Sequence, residues 1–476
     1  MEDAFEASAQ KMREQGMSDV SIAQFKRLYT QWQHDDASSW IREDDVEPLQ
    51  DVPSFHDVYK TIDHDQAVHA FAKTAFLKLN GGLGTSMGLD TAKSLLPVRR
   101  HKARRMRFID IIIGQVMTAR ERLNVPLPLT LMNSFRTSQD TMKVIKHTKN
   151  FRQDDIPLEI VQHQEPKIDL STGKPVEFPS DPTLEWCPPG HGDLFSTIWE
   201  SGLLDALQDN GFEYLFISNS DNLGARPSRT LAQYFEDTGA PFMVEVANRT
   251  EADRKGGHFV RDKKTGRLVL REMTQVHEND QDAAQDISRH PYFNTNSIWV
   301  RVDALKDMLA RYDGVLPLPV IQNYKTVDPT DPDSTKVIQL ETAMGAAIGH
   351  FDGAICVQVD RMRFLPVKTT DDLFIMRSDR FHLTDSYEME DGNYLFPDVR
   401  LDPRYYHNME DFNERFPYSI PSLAAANSVT IRGDWTFGHN VVFYGDAVLE
   451  DEGKPSYVPN GEFVGPQGIE PDDWMW

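Results

Sequence analysis

The chain has 476 residues, and its 74 acidic residues outnumber its 50 lysines and arginines to give a net charge of −24. This charge excludes the usual kind of nucleic-acid binder, which needs a basic face to displace phosphate counterions, and it disfavours a polybasic membrane-surface protein. Hydrophobic residues make up 39% of the chain and aromatic residues 10%, which is enough to build a core and excludes disorder throughout. At roughly 100–200 residues per domain, the length predicts about three domains.

The cysteine content and the N-terminus indicate the compartment. Cys187 and Cys356 lie far apart and show no metal-ligand spacing, so a secreted chain held by disulfides is excluded. The N-terminus lacks the basic and apolar pattern of a signal peptide, and no uncharged apolar run is long enough to span a bilayer. We therefore expect a cytoplasmic protein with neither a nucleic-acid nor a membrane partner.

Residues 1–70 read as a helical, amphipathic segment. Phe25, Leu28, Tyr29 and Trp32 fall at helical spacing, and an acidic loop follows them. No residue in this segment suggests a chemical role. We expect the segment to pack onto the domain that follows it.

Residues 71–395 are predicted to form an α/β domain. Short apolar strands alternate there with polar turns and longer helical stretches, one of which covers 195–208. This alternation is typical of a mostly parallel sheet that helices cover on both faces. The predicted strands lie at 75–79, 128–132, 214–218 and 242–246.

Residues 396–476 show a different periodicity, with a repeat of six. Val429, Trp435, Val441 and Ala447 recur every six residues, and a second apolar series runs two positions behind them at Ile431, Phe437, Phe443 and Leu449. Because short strands form the sides of such a coil, the repeat predicts a C-terminal left-handed β-helix. A meander of two hairpins also alternates and is the competing interpretation. Beyond residue 451 the composition predicts a poorly ordered acidic tail.

The most informative stretch is the glycine-rich run LNGGLGTSMG at residues 79–88, which follows a predicted strand and leads to Lys93 and Ser94. Glycines allow backbone N–H groups to close around a phosphate or a nucleobase edge. The P-loop pattern fails because Ala92 precedes the Lys-Ser pair, and the GxGxxG pattern fails because Gly88 comes one residue late. The run therefore supports neither a P-loop kinase nor a simple dinucleotide-binding enzyme.

The glycine-rich run resembles the nucleotide-binding signature of the eukaryotic-type UTP–glucose-1-phosphate uridylyltransferases, also called UDP-glucose pyrophosphorylases. The resemblance extends over about residues 75–375 and recurs in the family's order. The further blocks are WCPPGHGD at 186–193, SNSDNLGA at 218–225, FNTN at 293–296, QLETA at 339–343 and RFLPVK at 363–368.

The resemblance implies a fold and a reaction. The expected fold is a Rossmann-like nucleotidyltransferase domain of the GT-A type with a mixed sheet, followed by the β-helix. The expected reaction is attack of the glucose-1-phosphate oxygen on the α-phosphorus of UTP, which gives UDP-glucose and pyrophosphate. Such an in-line displacement between anions needs positioning and positive charge more than it needs a general base. The resemblance also implies Mg²⁺ as cofactor and homo-oligomer contacts through the C-terminal domain.

The resemblance assigns one set of residues to UTP. The backbone of Leu79, Asn80, Gly81 and Gly82 is expected to contact the uridine and the phosphates. The side chain of Gln162 is expected to read the uracil edge, and the backbone of Gly190 is expected to pack against the base. Lys93 and Lys368 are expected to be catalytic cations on the phosphates, and Lys167 is a weaker candidate for the rim. Asp221 is expected to hold Mg²⁺, because this ion prefers one or two carboxylates plus substrate phosphates.

A second set of residues is implied for the sugar phosphate. His191 is expected to donate to the phosphate of the sugar, and the backbone of Gly257 to approach the hexose. The remaining polar groups suit hydroxyls, which need both donors and acceptors. They are Asn219, Asn294, Asn296 and Glu341.

Two departures from the family pattern leave alternatives open. Asp90 stands beside the loop where the family often has a basic residue, and His258 follows a double glycine where the family tends to be smaller. The second departure suggests a sugar pocket of different shape. One alternative is therefore a broader UDP-sugar pyrophosphorylase that also uses galactose-1-phosphate or an N-acetylhexosamine phosphate. The other is a non-catalytic UDP-sugar sensor.

Overall fold

The computed structural model describes residues 2–34, 40–392 and 397–469, with side chains described throughout except at positions 2, 86 and 252. The α-helices of this part are α1 (Glu2–Glu14), α2 (Asp19–Gln33), α3 (Phe55–Thr61), α4 (Ala67–Ala72), α5 (Phe108–Leu123), α6 (Ser138–Lys146), α7 (Leu194–Glu200), α8 (Leu203–Asp209), α9 (Arg229–Thr238), α10 (Gln281–Gln285), α11 (Val302–Arg311), α12 (Thr370–Arg377), α13 (Pro403–Tyr406) and α14 (Met409–Arg415).

The strands of the first 300 residues include those of the central sheet. They are β1 (Val46–Pro48), β2 (Thr74–Asn80), β3 (Pro97–His101), β4 (Arg104–Arg107), β5 (Leu129–Asn133), β6 (Glu159–Val161), β7 (Glu165–Pro166), β8 (Ile168–Asp169), β9 (Trp186–Cys187), β10 (Tyr214–Asn219), β11 (Phe242–Asn248), β12 (His258–Asp262), β13 (Leu268–Arg271) and β14 (Tyr292–Arg301).

The later strands form the edge of the site and the C-terminal region. They are β15 (Ile321–Thr326), β16 (Lys336–Glu341), β17 (Ile355–Gln358), β18 (Phe381–Leu383), β19 (Met389–Asp391), β20 (Asp398–Leu401), β21 (Ser422–Ile431), β22 (Trp435–Phe437), β23 (Val442–Leu449), β24 (Ser456–Val458), β25 (Phe463–Gly465) and β26 (Gly468–Ile469).

The central sheet is mixed, so the domain has the predicted α/β fold, but the sheet is less parallel than the strand–helix alternation suggests. Its order is β1-β12-β14-β10-β2-β5-β6, with β11 on the other edge of β14. The ladder β10-β2-β5-β6 is parallel, whereas β14 runs antiparallel to β10, β11 and β12. Because β10, β11 and β12 are all antiparallel to β14, these three strands run in the same direction as one another, and β17 runs parallel to β11. Seven of the ten strands therefore share one direction, and β14, β1 and β13 run against it. The interior position of β14 is what makes the sheet mixed rather than mostly parallel in its pairing.

The two faces of the central strands belong to two separate cores. Every residue of β2 is buried, because helices cover the sheet on both sides. Alternate side chains of a strand point to opposite faces. Phe76 accordingly packs into the core that contains α5, and Leu77 packs into the core that contains α7, α8 and α11.

The N-terminal segment is helical over α1 and α2, as predicted, and again over α3 and α4, but a short strand between these pairs joins the central sheet. Phe25, Leu28 and Tyr29 are buried against the β8–β16 region, in the third apolar core. The strand β1 pairs antiparallel with β12, which makes it an edge strand of the central sheet. The helical segment predicted over 1–70, with its acidic loop, did not include a strand at 46–48, where the long-range pairing with β12 decides the conformation.

The predicted helix over 195–208 is two helices. The helix α7 ends at Glu200 and α8 begins at Leu203. Gly202 between them has φ +70°, a left-handed conformation that a continuous α-helix cannot contain.

The C-terminal strands pair in parallel, and this contradicts the hairpin meander. The strands β20, β21, β23 and β25 form one parallel ladder, and β22 pairs in parallel with β24. In the main ladder Val429 pairs with Ala447, so the chain returns after three six-residue units. All eight apolar residues of the two predicted series are buried. The expected disorder beyond Asp451 is wrong for β24, β25 and β26, while 470–476 lie outside the described residues.

The C-terminal core supplies a stability test. Phe437 is fully buried and stacks on Phe416 at a centroid distance of 4.9 Å. Phe437→Ala should lower the free energy of unfolding by about 3–5 kcal/mol, because it removes the ring and leaves a cavity. Phe463→Ala is the matched control, since Phe463 is 38% exposed, and it should cost less than about 1 kcal/mol. Urea unfolding measures both, and equal losses would contradict the described core.

Candidate functional site

The candidate site lies at the carboxyl ends of β2, β5 and β10, where open α/β sheets bind ligands. Asn80 ends β2, and its side chain is fully used inside the protein. Its amide donates to Asn133 Oδ1 at 2.7 Å and to Thr141 Oγ1 at 3.0 Å, and its Oδ1 accepts from Ser220 Oγ at 2.9 Å. Asn80 can therefore contact a ligand only through its backbone. The same holds for its neighbour Leu79, whose side chain is buried.

The glycine-rich loop leaves β2 and folds back on itself. Leu83 forms an isolated antiparallel bridge with Ala92, and the N–H of Lys93 donates to the Gly82 carbonyl at 3.2 Å. No heavy atom lies within 4 Å of the position that a Cβ on Gly82 would take. The loop thus brings Lys93 back beside Gly82 and presents a stretch of backbone to open space.

Gln162 connects this loop to the turn that carries Gly190. Its N–H donates to the Asn133 carbonyl at 2.7 Å, and its side-chain amide donates to the Gly190 carbonyl at 2.6 Å. A Cβ on Gly81 would lie 2.6 Å from Gln162 Oε1. Gly81, Gln162 and Gly190 therefore form one wall, in which any side chain at Gly81 would displace the amide.

Gly190 is held against Thr342 by close contact of two backbones. Gly190 has φ +77°, and a Cβ there would lie 2.6 Å from the Thr342 carbonyl oxygen. The Thr342 N–H donates to the Pro189 carbonyl at 3.0 Å, and the Gly192 N–H donates to the Thr342 carbonyl at 2.8 Å. Only glycine allows this approach, which fixes the turn before His191.

His191 is a neutral donor in this arrangement. The N–H of Met344 donates to His191 Nδ1 at 3.1 Å, so Nδ1 is an acceptor and the proton is on Nε2. Burial lowers the pKa of His191 to about 4, because the charged imidazolium is disfavoured away from water. The ring therefore offers an uncharged N–H over the whole neutral range of pH.

A buried network of charged groups holds the turn that carries Gly190 and His191. Asp193 is fully buried and accepts from the N–H and Nδ1 of His163, at 2.9 and 2.8 Å, and from Gln24 of α2 at 2.9 Å. The second ring nitrogen of His163 meets Glu200. Burial opposes the charged form of His163, but the two carboxylates outweigh it and raise the pKa of His163 to about 10. The N-terminal segment thus packs onto the site, as expected.

Lys93 and Asp221 form an ion pair between the glycine-rich loop and the end of β10. Lys93 Nζ lies 2.9 Å from Asp221 Oδ2, and both side chains are mostly buried. The second oxygen, Oδ1, is buried without a hydrogen-bond partner among the described residues. The N–H of Val367 donates to the Asp221 carbonyl at 3.3 Å, which brings the following residue, Lys368, to the rim.

Glu272 lies on the same rim, although the sequence did not suggest it. A Cβ on Gly257 would lie 2.6 Å from Glu272 Oε2, so the carboxyl group packs directly on the backbone of Gly257. Burial raises the pKa of Glu272, and the charge of Lys368 offsets part of this shift. Glu272 follows β13 directly, and its position after a strand is the one signal that could have identified it.

Asn294 and Asn296 project from a bulge in β14. Glu245 and Val246 are adjacent in β11, whereas their partners in β14, Ser297 and Asn294, are separated by two further residues. The strand β14 therefore bulges at these two residues. Asn296 has φ +60°, a conformation that asparagine tolerates better than most residues. Its N–H donates to Asn294 Oδ1 at 2.9 Å, and the N–H of Asn294 donates to the Gly257 carbonyl at 3.0 Å.

The last two predicted residues complete the outline. Glu341 ends β16, and a Cβ on Gly190 would lie 2.9 Å from its Cβ. Asn219 ends β10, paired in register with Leu79. Glu165, buried close to Glu341, has a pKa well above its ordinary value, because burial and the charges of Asp193 and Glu341 disfavour its ionised form. The contacts described above connect most of the fifteen predicted residues to one another near these strand ends, and that they line one crevice stays a prediction.

Two residues discussed from the sequence do not join this crevice. Lys167 is buried, and its ammonium donates to the Val327 carbonyl at 3.0 Å. His258 is also buried, with its ring centroid 4.6 Å from that of His290. Because the His258 ring is fully buried, it does not present itself to a ligand directly, and its effect on the shape of a sugar pocket stays a prediction.

The chain matches proteins of known activity along most of its length. The family model described as UTP--glucose-1-phosphate uridylyltransferase matches residues 22–444. The probable UTP--glucose-1-phosphate uridylyltransferase of Schizosaccharomyces pombe is 36% identical over 82% of this chain and 76% of its own. The Saccharomyces cerevisiae enzyme is 37% identical over 83% and 78%.

Solved structures match the chain in shape as well. A UDP-glucose pyrophosphorylase variant from Leishmania major, in complex with UDP-glucose, superimposes with a TM-score of 0.88 at 36% identity, covering 97% of this chain and 98% of the other. A protein described as UDP-glucose phosphorylase from Trypanosoma brucei gives a TM-score of 0.88 at 37% identity, covering 97% of this chain and 99% of the other.

Gly190 offers a test of the turn. In Gly190→Ala the new methyl group would meet the Thr342 backbone, and the left-handed φ would be strained as well. We expect a loss of about 2–5 kcal/mol in the free energy of unfolding, which combines about 1–2 kcal/mol for the conformation with a clash. Gly211→Ala is the matched control, because Gly211 has φ +78° but open space around it. Similar losses in the two variants would rule out the close contact.

The His163 network predicts a pH-dependent contribution to stability. With a folded pKa of about 10, its ion pairs contribute fully below the unfolded pKa of about 6.5. The contribution should then fall by about 1.4 kcal/mol per pH unit as the pH rises toward 10, because the unfolded state loses its proton first. The measurement is the difference in urea stability between wild type and His163→Gln from pH 6.5 to 9.

His382→Gln is the control for this experiment. His382 lies 3.0 Å from Glu390, but both side chains are more than half exposed, so solvent screens the pair. Its stability difference from wild type should change little with pH. A flat difference for His163→Gln as well would contradict the buried network.

Proposed function

The chain belongs to the UTP–glucose-1-phosphate uridylyltransferase family, and we propose that the crevice around the glycine-rich loop is where it binds both substrates. The enzyme is a nucleotidyltransferase that converts UTP and glucose-1-phosphate to UDP-glucose. The observation that carries the proposed site is the Lys93–Asp221 pair. It joins the loop to the strand end at 2.9 Å and leaves one buried carboxylate oxygen without a partner among the described residues.

UTP is assigned to the side of the crevice that the loop forms. The backbone from Leu79 to Gly82 approaches the nucleotide, because the only long polar side chain there, Asn80, is already hydrogen-bonded inside the protein. The amide of Gln162 and the backbone of Gly190 then read the uracil edge. An amide both donates and accepts, as the imide of uracil requires.

Glucose-1-phosphate is assigned to the opposite side. His191 donates its Nε2–H to the phosphate as a neutral group, since its pKa is about 4. Asn219, Asn294, Asn296 and Glu341 supply donors and acceptors for the hydroxyls, and the Gly257 backbone contacts the hexose. These assignments follow the family blocks, and the shared crevice supports them.

Mg²⁺ is the proposed cofactor, and Asp221 is its proposed protein ligand. The described residues contain no group of three or more His, Cys, Asp or Glu side chains arranged for a metal. This agrees with Mg²⁺, which needs only one or two carboxylates when substrate phosphates and water complete the shell. The unpartnered Oδ1 of Asp221 suits such an ion. When bound, Mg²⁺ would supply positive charge to the phosphates.

The reaction needs charge neutralisation more than proton transfer. An oxygen of glucose-1-phosphate forms a bond to the α-phosphorus of UTP, and the bond to pyrophosphate breaks. The attacking oxygen is already ionised, so no general base is required. Lys93 and Lys368 offset the charge on the phosphates, and preorganised groups of this kind stabilise a transition state strongly.

The domain boundaries, the hand of the C-terminal coil and the assembly are also proposals. We divide the chain into 1–70, 71–395 and 396–476, with the parallel ladder of the last part as a left-handed β-helix that supports homo-oligomer contacts. The two cysteines are free and buried, which suits a cytoplasmic protein. Among the described residues, no helix is long and apolar enough to cross a membrane.

The comparisons do not support the broader-specificity alternative. The relatives named above are UTP–glucose-1-phosphate uridylyltransferases, and His258, the residue that suggested a different pocket, is fully buried beside His290. Lys93, Asp221 and Lys368 are all present at the crevice, which argues against a non-catalytic sensor.

Turnover of UTP with sugar phosphates tests the proposed site. Pyrophosphate release should require Mg²⁺ and should be fastest with glucose-1-phosphate, compared with galactose-1-phosphate and N-acetylglucosamine-1-phosphate. Lys93→Ala and Lys368→Ala should each lower kcat by about 10²–10³, the scale for losing one charge-stabilising group. Asp221→Asn should raise the Mg²⁺ concentration needed for half-maximal rate.

Surface residues of the same type provide the controls. Lys60→Ala should keep the wild-type kcat, because Lys60 is exposed and lies 3.9 Å from Asp57. Asp209→Asn, in the exposed end of α8, should keep the wild-type Mg²⁺ requirement. Wild-type kinetics in the Lys93 and Lys368 variants would contradict their assignment to the site. An unchanged Mg²⁺ requirement in Asp221→Asn would contradict its assignment as the metal ligand.

A further inference from the structure

A second cavity lies outside the crevice, between the β3–β4 hairpin, α5 and the end of α6. Its volume is about 870 Å³. None of the fifteen crevice residues lines it. The charged groups on its wall are Arg104, Arg105, Arg107, Lys143 and Lys149, with His147 and the two acids Asp110 and Asp140.

The cations of this cavity have little internal compensation. Arg107 is neutralised by Asp110, with hydrogen bonds of 2.8 and 2.9 Å. Arg104, Arg105, Lys143 and Lys149 form no ion pair within the part of the chain that the structure describes. Four cations thus face one aspartate, Asp140, on a protein whose net charge is −24.

Structural roles account for only part of this cluster. Lys143 lies in the last turn of α6, where a cation offsets the helix dipole. Arg99 of the same hairpin shows what a structural arginine does, since it donates to the carbonyls of Met376 and Ser378 at 3.0 and 2.5 Å. Arg104, Arg105 and Lys149 have no such partner in the described structure, and they come from two different segments.

The cavity has a formed floor rather than a flat surface. Gly114 of α5 lies against the ring of Tyr387, where a Cβ would be 2.4 Å from the ring. The side chain of Gln115, from the same helix, donates to the Tyr387 carbonyl at 3.0 Å and so fixes the backbone that carries the Tyr387 ring. Apolar residues such as Ile113 and Met117 complete the floor. A cavity of this size and mixed lining is typical of small-molecule sites.

We propose that this cavity binds a compact, multiply phosphorylated small anion. Phosphate groups match converging arginines and lysines in charge and in hydrogen-bond geometry. A small ligand fits better than an extended polyanion, because the cations converge on a cavity of about 870 Å³ rather than along a groove. Within the cavity the remote acids are screened over about 10 Å at ordinary salt. The site would hold its ligand independently of the crevice.

Binding of inorganic tripolyphosphate tests the proposal. Isothermal titration calorimetry on the full chain, without Mg²⁺ and with saturating UDP-glucose to fill the crevice, should give one binding event per chain. Arg105→Glu with Lys143→Glu should weaken this event at least tenfold, and the milder Arg105→Gln with Lys143→Gln should weaken it less. Thermal unfolding of each variant verifies that it is folded.

Two further variants identify where the anion binds. Lys93→Ala with Lys368→Ala should retain the binding event, because these lysines lie in the crevice. Arg311→Glu with Lys264→Glu changes the net charge equally on exposed positions elsewhere and should also retain it. The proposal is overturned by no binding to the wild type, by equal weakening in the matched charge variant, or by loss of binding in the crevice variant alone.

Discussion

The ion pair between Lys93 and Asp221 is the contact on which the proposed crevice depends. It joins a loop that has little regular structure to the end of β10, which is buried up to its last residue. The Asp221 carbonyl in turn accepts from the N–H of Val367 and so positions Lys368. A protein with a charge of −24 can bind two polyanions only where cations and backbone donors lie within contact range. The described pair supplies one cation to the proposed crevice, beside a buried carboxylate oxygen that has no hydrogen-bond partner among the described residues.

Local sequence predicted the elements better than their pairing. The period of six identified eight C-terminal residues that are all buried, because each position of a repeating coil has one environment. The direction of β14 and the edge strand β1 could not be predicted in this way. The direction of β14 depends on its pairing with β10, β11 and β12, and the position of β1 depends on its pairing with β12. An apolar pattern in one strand does not show which other strand will pair with it.

The same distinction applies to the crevice. The family blocks led to residues that the structure brings together, since each block carries its own turn or strand end. Glu272 and the Gln24–Asp193–His163 network were not predicted, because they arise where separate segments meet. The full burial of His258 was not predicted for a related reason, because it follows from the pairing of β12 with β13 and β14, which the local sequence does not show.

The register of the C-terminal coil also limits where the chain can change in length. Val429 pairs with Ala447 eighteen residues on, but Trp435 pairs with Ser456 at an offset of twenty-one. The three additional residues lie in the turn after Leu449, which contains Gly453 at φ +68°. The turn between Leu449 and Ser456 can therefore accommodate added residues without a change in the pairing of the strands. A single residue added within β23 would instead turn its buried side chains to solvent and its exposed ones inward.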